Sequence, residues 1–196
     1  MARLIRSAQA SDTHALERIE NDADQLLVDY RHADAWPAAP PGITRLSEPG
    51  FLLVVDIDGE VAGFVHVLEV DDICHLEQLS VAPALSRQGL GRALVEAAMD
   101  RSRERGYERV SLRTYAEVPW NAPFYATAGF VEEQPVGSFH RSLLAVEAAH
   151  GLDRYGRRVQ MSAPLTNTRP QGSAIETGRA GCMSSPLSPC RPFRRP

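Results

Sequence analysis

Lysine is missing altogether: all 21 basic residues of this 196-residue chain are arginines. A phosphate loop of the Gly-x-x-x-x-Gly-Lys-Ser/Thr type is therefore excluded, since it has no lysine to reach the phosphates. Cysteine is scarce. Cys74, Cys182 and Cys190 have neither the spacing of a disulfide framework nor that of a zinc site, so a reduced, cytoplasmic protein is expected. No apolar run approaches ~20 residues, and Met1–Ser7 leads straight into an amphipathic pattern without a secretory core. No membrane span is expected.

The composition that remains is that of a globular chain, with 43% hydrophobic and 23% charged residues. Its charge is uneven. Residues 1–164 hold 16 Arg and 24 Asp or Glu, a balance of −8, whereas residues 165–196 hold five Arg and one Glu, a balance of +4. An acidic body argues against a nucleic-acid footprint. The stretch 164–196 is rich in Pro, Ser and Arg and lacks apolar periodicity, so a disordered tail is predicted after a folded domain of residues 1–163.

Arg3–Gln9 alternates as a strand, and Ser11 or Asp12 can cap a helix with apolar positions Leu16, Ile19, Ala23 and Leu26. Residues 30–50 contain Trp36-Pro-Ala-Ala-Pro-Pro-Gly and read as a loop with room for a short helix. Glu17, Glu20, Asp22, Asp24, Asp29 and Asp34 form either a solvated helix face or a wall that attracts a cationic substrate. Phe51–Ile57 and Val61–Glu69 are strands joined through Asp58-Gly59, a hairpin signal, and Asp71-Asp72 turns the chain into Ile73–Val81. Arg109–Thr114 is a further strand, Pro119–Pro123 introduces a short helix with Phe124 and Tyr125, and Phe130–Glu132 finds a partner in Arg158–Met161. Residues 138–150 look helical.

The chemistry concentrates between Ile73 and Arg105. A β-rich run stops at Pro83, and Gly89 and Gly91 open a helix flanked by Arg87 and Arg92. The first-turn amides of a helix have no intrahelical acceptor, which makes such a start an anion site suited to phosphate. A dinucleotide fingerprint needs a third glycine and a parallel βαβ setting, and neither is present. His75-Leu-Glu77 matches half of a zinc deaminase signature, but the Pro-Cys-x-x-Cys half is missing. Glu77 would share its strand face with Ile73, His75, Leu79 and Val81, an unusual place for a carboxylate that serves packing alone. Such a group with a raised pKa suits a general base; otherwise it is an edge residue salt-bridged to Arg113.

The succession β-α-β-β-β, Gly-loop helix, β, short helix, β resembles the GNAT superfamily of N-acetyltransferases, most clearly over Val61–Phe130. That family's Arg/Gln-x-x-Gly-x-Gly/Ala pattern falls on Ser86-Arg87-Gln88-Gly89-Leu90-Gly91, with Ser86 departing from it at the first position. The resemblance implies a mixed, mostly antiparallel α/β (α+β) sheet of six to seven strands flanked by helices. It implies that acetyl-CoA is the co-substrate and that no metal is needed. Backbone groups of Leu79, Ser80 and Val81 would pair with the pantetheine arm, and Arg87, Gln88, Gly89, Leu90, Gly91 and Arg92 would hold the pyrophosphate. Glu77 would be the base. Phe124-Tyr-Ala-Thr-Ala-Gly-Phe130 matches the family's Tyr segment, so Tyr125 would protonate the leaving thiolate. Many relatives carry an Asn seven residues before this Tyr. That position is Val118 here, and Asn121 is the candidate contact instead. A backbone N–H at Leu79 is the natural donor to the oxyanion.

The expected function is acetyl transfer to the primary amine of a small, cationic or neutral molecule or of a protein N-terminus, by direct attack in a ternary complex. The rival is a non-catalytic acyl-CoA-sensing module of the same fold. Residues 130–161 offer a surface on which two copies could pair as a homodimer. No membrane and no nucleic-acid partner is expected.

Overall fold

A computed structural model describes residues 2–165. Seven strands form one sheet in the order β1-β2-β3-β4-β5-β7-β6. The first four are β1 (Arg3–Ser7), β2 (Gly50–Ile57), β3 (Glu60–Val70) and β4 (Ile73–Val81); β5 (Arg109–Tyr115), β6 (Val131–Glu133) and β7 (Arg158–Pro164) complete it. Every neighbouring pair is antiparallel except β4 and β5, which run parallel. The mixed, mostly antiparallel sheet expected from the sequence is therefore present. The hairpin at Asp58-Gly59 has φ of 52° and 95° at its two central residues, the left-handed pair that a twisted two-residue connection requires.

Five helices cover the sheet: α1 (Thr13–Arg31), α2 (Gly42–Ser47), α3 (Leu90–Glu104), α4 (Ala122–Thr127) and α5 (Gly137–Ala149). Alternation along the strands splits the core between the two faces. Leu53, Val55, Val65 and Val67 pack with Leu90, Leu94 and Val95 of α3 and with Tyr125 of α4. Leu52, Val54 and Phe64 meet Leu16 and Ile19 of α1 on the opposite face. α5 is held differently. Its only buried residue is Glu147, which accepts from Arg113 of β5 at 2.6 and 2.7 Å and pairs with Arg158 of β7 at 2.8 Å.

Three local expectations are corrected. The buried stripe of α1 runs through Leu16, Ile19, Glu20 and Leu27, leaving Leu26 exposed, because the polar Glu20 is drawn inward by Arg45 of α2. Asp12 occupies the position before α1 but does not cap it; its carboxylate turns back to Arg6 and to the amide of Gln9. The folded part also passes Ala163. Pro164 pairs with Arg109 at the end of β7, and buried Leu165 donates its amide to Glu108 at 2.7 Å. The tail beyond Leu165, expected to be disordered, lies outside the described residues. No helix among the described residues is long and apolar enough to cross a membrane.

Candidate active site

Strands β4 and β5 pair at His75–Ser111 and Leu76–Leu112 and then part. From Glu77 onward one edge of β4 is left open while its other edge stays bonded to β3 through Val81. Ala82 donates to Ala62, and the carbonyl of Ser80 faces Gly63 on β3. Backbone groups alternate sides along a strand, so the N–H and C=O groups of Leu79 and Val81 point into the fork. Unpaired strand groups beside a cleft invite an extended ligand to add itself as a strand.

Glu77 lies at the apex. His66 stands opposite Gln78 and Val67 opposite Leu76, which leaves Glu77 as the extra residue of a β-bulge. The bulge overturns the expected facing. Cys74 and Leu76 before it, and Leu79 and Val81 after it, all face α3, so Glu77 does not share a face with Leu79 and Val81. The Glu77 side chain is 35% exposed. Desolvation raises its pKa; Arg45 and Arg158 oppose the rise, and Glu48 and Glu20 add to it. Arg113, the expected salt-bridge partner, is committed to Glu147 instead. Among the described residues the basic group within 4 Å of it is the His75 ring, with Nε2 3.7 Å from Glu77 Oε2.

At the far end of the open edge the chain makes a 3-10 turn (Pro83–Leu85), bends through Ser86–Gly89 and enters α3. Gly89 is the residue before the helix, with φ of 80°, and Arg87 also has positive φ, at 58°. Ala93 is the first residue whose amide returns to the helix start, bonding Gly89 O at 3.0 Å. Among the described residues the amides from Arg87 to Arg92 meet no protein acceptor. A run of unpaired N–H groups at a helix start is chemically suited to phosphate oxygens. Of the side chains here, Arg87 is exposed, whereas Arg92 is tied to Glu96 at 2.6 Å and to Thr127 O at 2.8 Å. Arg92 therefore joins α3 to α4 with its side chain and faces the loop with its amide. Gln88 offers its carbonyl to Arg3 at 3.2 Å, and Ser86 is exposed.

The two glycines do different work. A Cβ at Gly89 would touch nothing within 4 Å, so its constraint is purely conformational. A Cβ at Gly91 would rest 3.7 Å from Phe124 and 3.8 Å from Val81, ordinary contact distances. Gly89→Ala is expected to cost about 1–2 kcal/mol for the left-handed backbone and to weaken CoA binding. Gly91→Ala should melt at or above the wild-type temperature and bind CoA normally. Thermal melts with CoA titration check both, and equal effects at the two positions would contradict this division.

Tyr125 sits on α4, on the α3 face of the sheet, and is 8% exposed. Phe124 and Phe130 meet its ring edge-on, at centroid distances of 5.1 and 5.6 Å. Burial pushes its hydroxyl pKa well up, so the phenol keeps its proton. Its hydroxyl makes no hydrogen bond among the described residues, unlike Tyr115, whose hydroxyl donates to Leu152 O at 2.8 Å. Asn121 precedes α4 and its side chain bonds nothing among the described residues, while Val118 is fully buried. Cys74 is buried with its thiol on Ser102 Oγ at 3.1 Å; burial raises its pKa and withholds the thiolate that nucleophilic attack needs.

The acid-rich opening third is partly structural. Glu20 is buried against Arg45, and Asp34 bonds Tyr155 at 2.6 Å. Asp24 accepts from Trp36 Nε1 at 3.2 Å, and burial lifts its pKa to about 6. A wall of free carboxylates is thus reduced. Residues that the sequence does not advertise also border the site: Arg45 in the 30–50 loop, Ser111 and His140. Only the fold brings them there, although the alternation of Ser111 and Arg113 on β5 marks a polar face. A hollow of about 650 Å³ lies among Arg103, Tyr107, Arg109, Val131 and Leu165, at the closed end of β5 away from the fork.

Comparison with known proteins agrees with this geometry. The profile of the acetyltransferase (GNAT) family matches residues 13–130. An uncharacterized N-acetyltransferase of Escherichia coli, YjgM, is 32% identical over 138 residues, covering 65% of this chain and 81% of its own. The mycothiol acetyltransferase of Clavibacter sepedonicus is 35% identical over 104 residues, but these are 53% of this chain and 31% of that one. Among solved structures, the ribosomal-protein-S18-alanine N-acetyltransferase of E. coli superposes with a TM-score of 0.60 at 24% identity, covering 88% and 99% of the two chains. The PaiA N-acetyltransferase of Thermoplasma acidophilum, solved with coenzyme A, gives 0.64 at 14% identity, covering 84% and 99%. The open-edged fork, the αL glycine before α3 and the match across most of the folded part lead to one conclusion: this chain is a member of the GNAT family of acetyltransferases.

Proposed function

We propose that the protein moves an acetyl group from acetyl-CoA to a primary amine, by direct attack in a ternary complex. The observation that carries this is the fork itself. It joins an open β4 edge, with an anion-binding helix start at one end and a bulged Glu77 at the other. The free amides from Arg87 to Arg92 take the pyrophosphate, with the exposed Arg87 side chain as counter-charge, and Leu79 and Val81 pair with the pantetheine arm. Ser80 is 2% exposed and braces the strand through its bond from Gln78. Asn121 lines the same approach. In this geometry the loop amides supply most of the anion site, so the absent Arg or Gln at Ser86 costs one side-chain anchor.

Glu77 accepts the proton that the incoming ammonium must lose before it can attack. A raised pKa makes its carboxylate a better match for that task, and its exposure admits the amine. The Leu79 amide faces the oxyanion that forms at the thioester carbon. Tyr125 then donates its hydroxyl proton to the departing thiolate, a role open to it because no group among the described residues occupies the hydroxyl. The acceptor is a small molecule or a protein N-terminus entering from the side of α1, α2 and α5.

Thiol release from acetyl-CoA against a panel of amines tests the proposal. Turnover on at least one amine, lost in Glu77→Gln, is expected. CoA binding without turnover, in wild type and variant alike, would favour a sensing module instead. Tyr125→Phe should slow thiol release by about 10²-fold or more with CoA affinity nearly unchanged. A collapse of affinity would instead make Tyr125 a packing residue.

A further inference from the structure

Behind Glu77 the sheet carries polar groups that the acetyl-transfer scheme does not use. His75 is 2% exposed, yet its ring is not isolated. Its Nδ1 lies 2.9 Å from Ser111 Oγ, and the same hydroxyl lies 3.0 Å from His140 Nε2 on α5. The other ring nitrogen of His140, Nδ1, lies 2.8 Å from the carbonyl of Val136. His75 and His140 thus sit on two elements and are joined through a third.

The direction of every hydrogen bond in this chain follows from its last member. A carbonyl only accepts, so His140 Nδ1 carries the hydrogen and, in the neutral ring, Nε2 is bare. Ser111 must then donate to His140 Nε2, in preference to the longer 3.4 Å contact with Cys74 O. Having spent its only hydrogen, Ser111 Oγ accepts from His75 Nδ1–H. That leaves His75 Nε2 bare, and it is the nitrogen that faces Glu77.

We propose that His75, Ser111 and His140 are positioning residues for the base: they hold His75 in the tautomer that presents a lone pair to Glu77. A bare nitrogen 3.7 Å away turns a lone pair toward the carboxyl and gives no hydrogen to the carboxylate, so it favours the acid form and makes Glu77 the stronger base. The proton that leaves the substrate ammonium goes to Glu77, whose acid form the His75 Nε2 lone pair favours from 3.7 Å; no bond to carbon is involved, and the proton later returns to solvent through the fork. His75 stays neutral in this arrangement. Burial lowers its pKa to about 3, and His140 and Arg113 act in the same direction against Glu147. The groups facing Glu77 are Arg45, Glu48, Arg158 and Glu20, and Glu133 of β6 faces His140.

This proposal rests on Glu77 being the base, and its test separates the two. Nitrogen-15 spectra of the histidines at pH 8 need no acceptor. His75 and His140 are both expected as Nδ1–H tautomers, and an Nε2–H tautomer for His75 would overturn the proposal. Turnover is then followed against pH with acetyl-CoA and either an alanine-terminated tripeptide or spermidine. Ser111→Ala and His140→Phe should move the acid limb to lower pH and lower kcat, with the KM for acetyl-CoA unchanged. Ser111→Thr and His140→Gln preserve the hydroxyl or an acceptor and should keep the limb in place. If Glu77→Gln loses turnover while Ser111→Ala and His140→Phe leave the limb where it was, the positioning role is wrong and the base stands. If Glu77→Gln is fully active, both fall.

Discussion

Glu77→Gln is expected to lower kcat/KM by about 10²–10⁴-fold, the usual worth of a positioned proton acceptor, or about 3–5 kcal/mol of transition-state stabilisation. The amide keeps the shape and polarity of the side chain at the bulge, so the fork should survive. CoA binding and melting temperature should stay near wild type. The pH profile has a definite sign. A base works only when deprotonated, and desolvation raises the Glu77 pKa, so wild-type activity should fall as pH drops through a value above the ordinary carboxylate range of about 4.3. The variant lacks that limb. Its residual rate should follow the fraction of acceptor already present as free amine, so the deficit is greatest at low pH and shrinks as pH rises. Matched initial rates across pH 5 to 10 would check this, and parallel profiles would remove Glu77 from the mechanism.

The second large effect is on stability. Glu147→Ala is expected to cost about 3–4 kcal/mol, because it leaves two arginines without their shared partner. The Arg113 and Arg158 side chains are only 6% and 17% exposed. At about 2–4 °C per kcal/mol for a domain of this size, melting should fall by roughly 6–16 °C. α5 has no other buried residue, so its amide hydrogens should exchange faster in the variant than those of α3. The pH dependence follows from the carboxyl group. Burial would raise the Glu147 pKa, but the bonds from Arg113 and the charge of Arg158 outweigh it, and the net shift is downward. A lowered folded-state pKa gives stability that is full above the unfolded value of about 4.3 and is lost as pH falls through the folded value. Wild type and variant should therefore differ most at neutral pH and converge in acid. Equal stability at pH 7 would show that the arginines find other partners.

How much of the site was legible beforehand depends on the range of the interactions involved. The Gly89 helix start could be read from a few neighbouring residues, because free first-turn amides and a left-handed glycine are local properties. The Asp58-Gly59 hairpin could be read for the same reason. Glu77 stood out for its polarity within a strand, but the face assigned to it was wrong. A bulge is set by the register between β3 and β4, and alternation counted along one strand cannot register the extra residue. Its suggested tie to Arg113 failed similarly, since the competing partner Glu147 comes from a helix 34 residues further along the chain.

Local patterns along the chain specify the order of the elements, the glycine-led helix start and the identity of the two candidate proton-transfer residues, Glu77 and Tyr125. Each is written in periodicity, turn chemistry or a compact motif. Long-range pairing and packing set the rest: β4 and β5 part beyond Leu76, the bulge turns Glu77 away from the face of Leu79, and Ser111 and His140 stand behind His75. Those features arise from strand register and from packing between distant segments. Hydrogen bonding and burial act there through space, and separation along the chain carries no information about them.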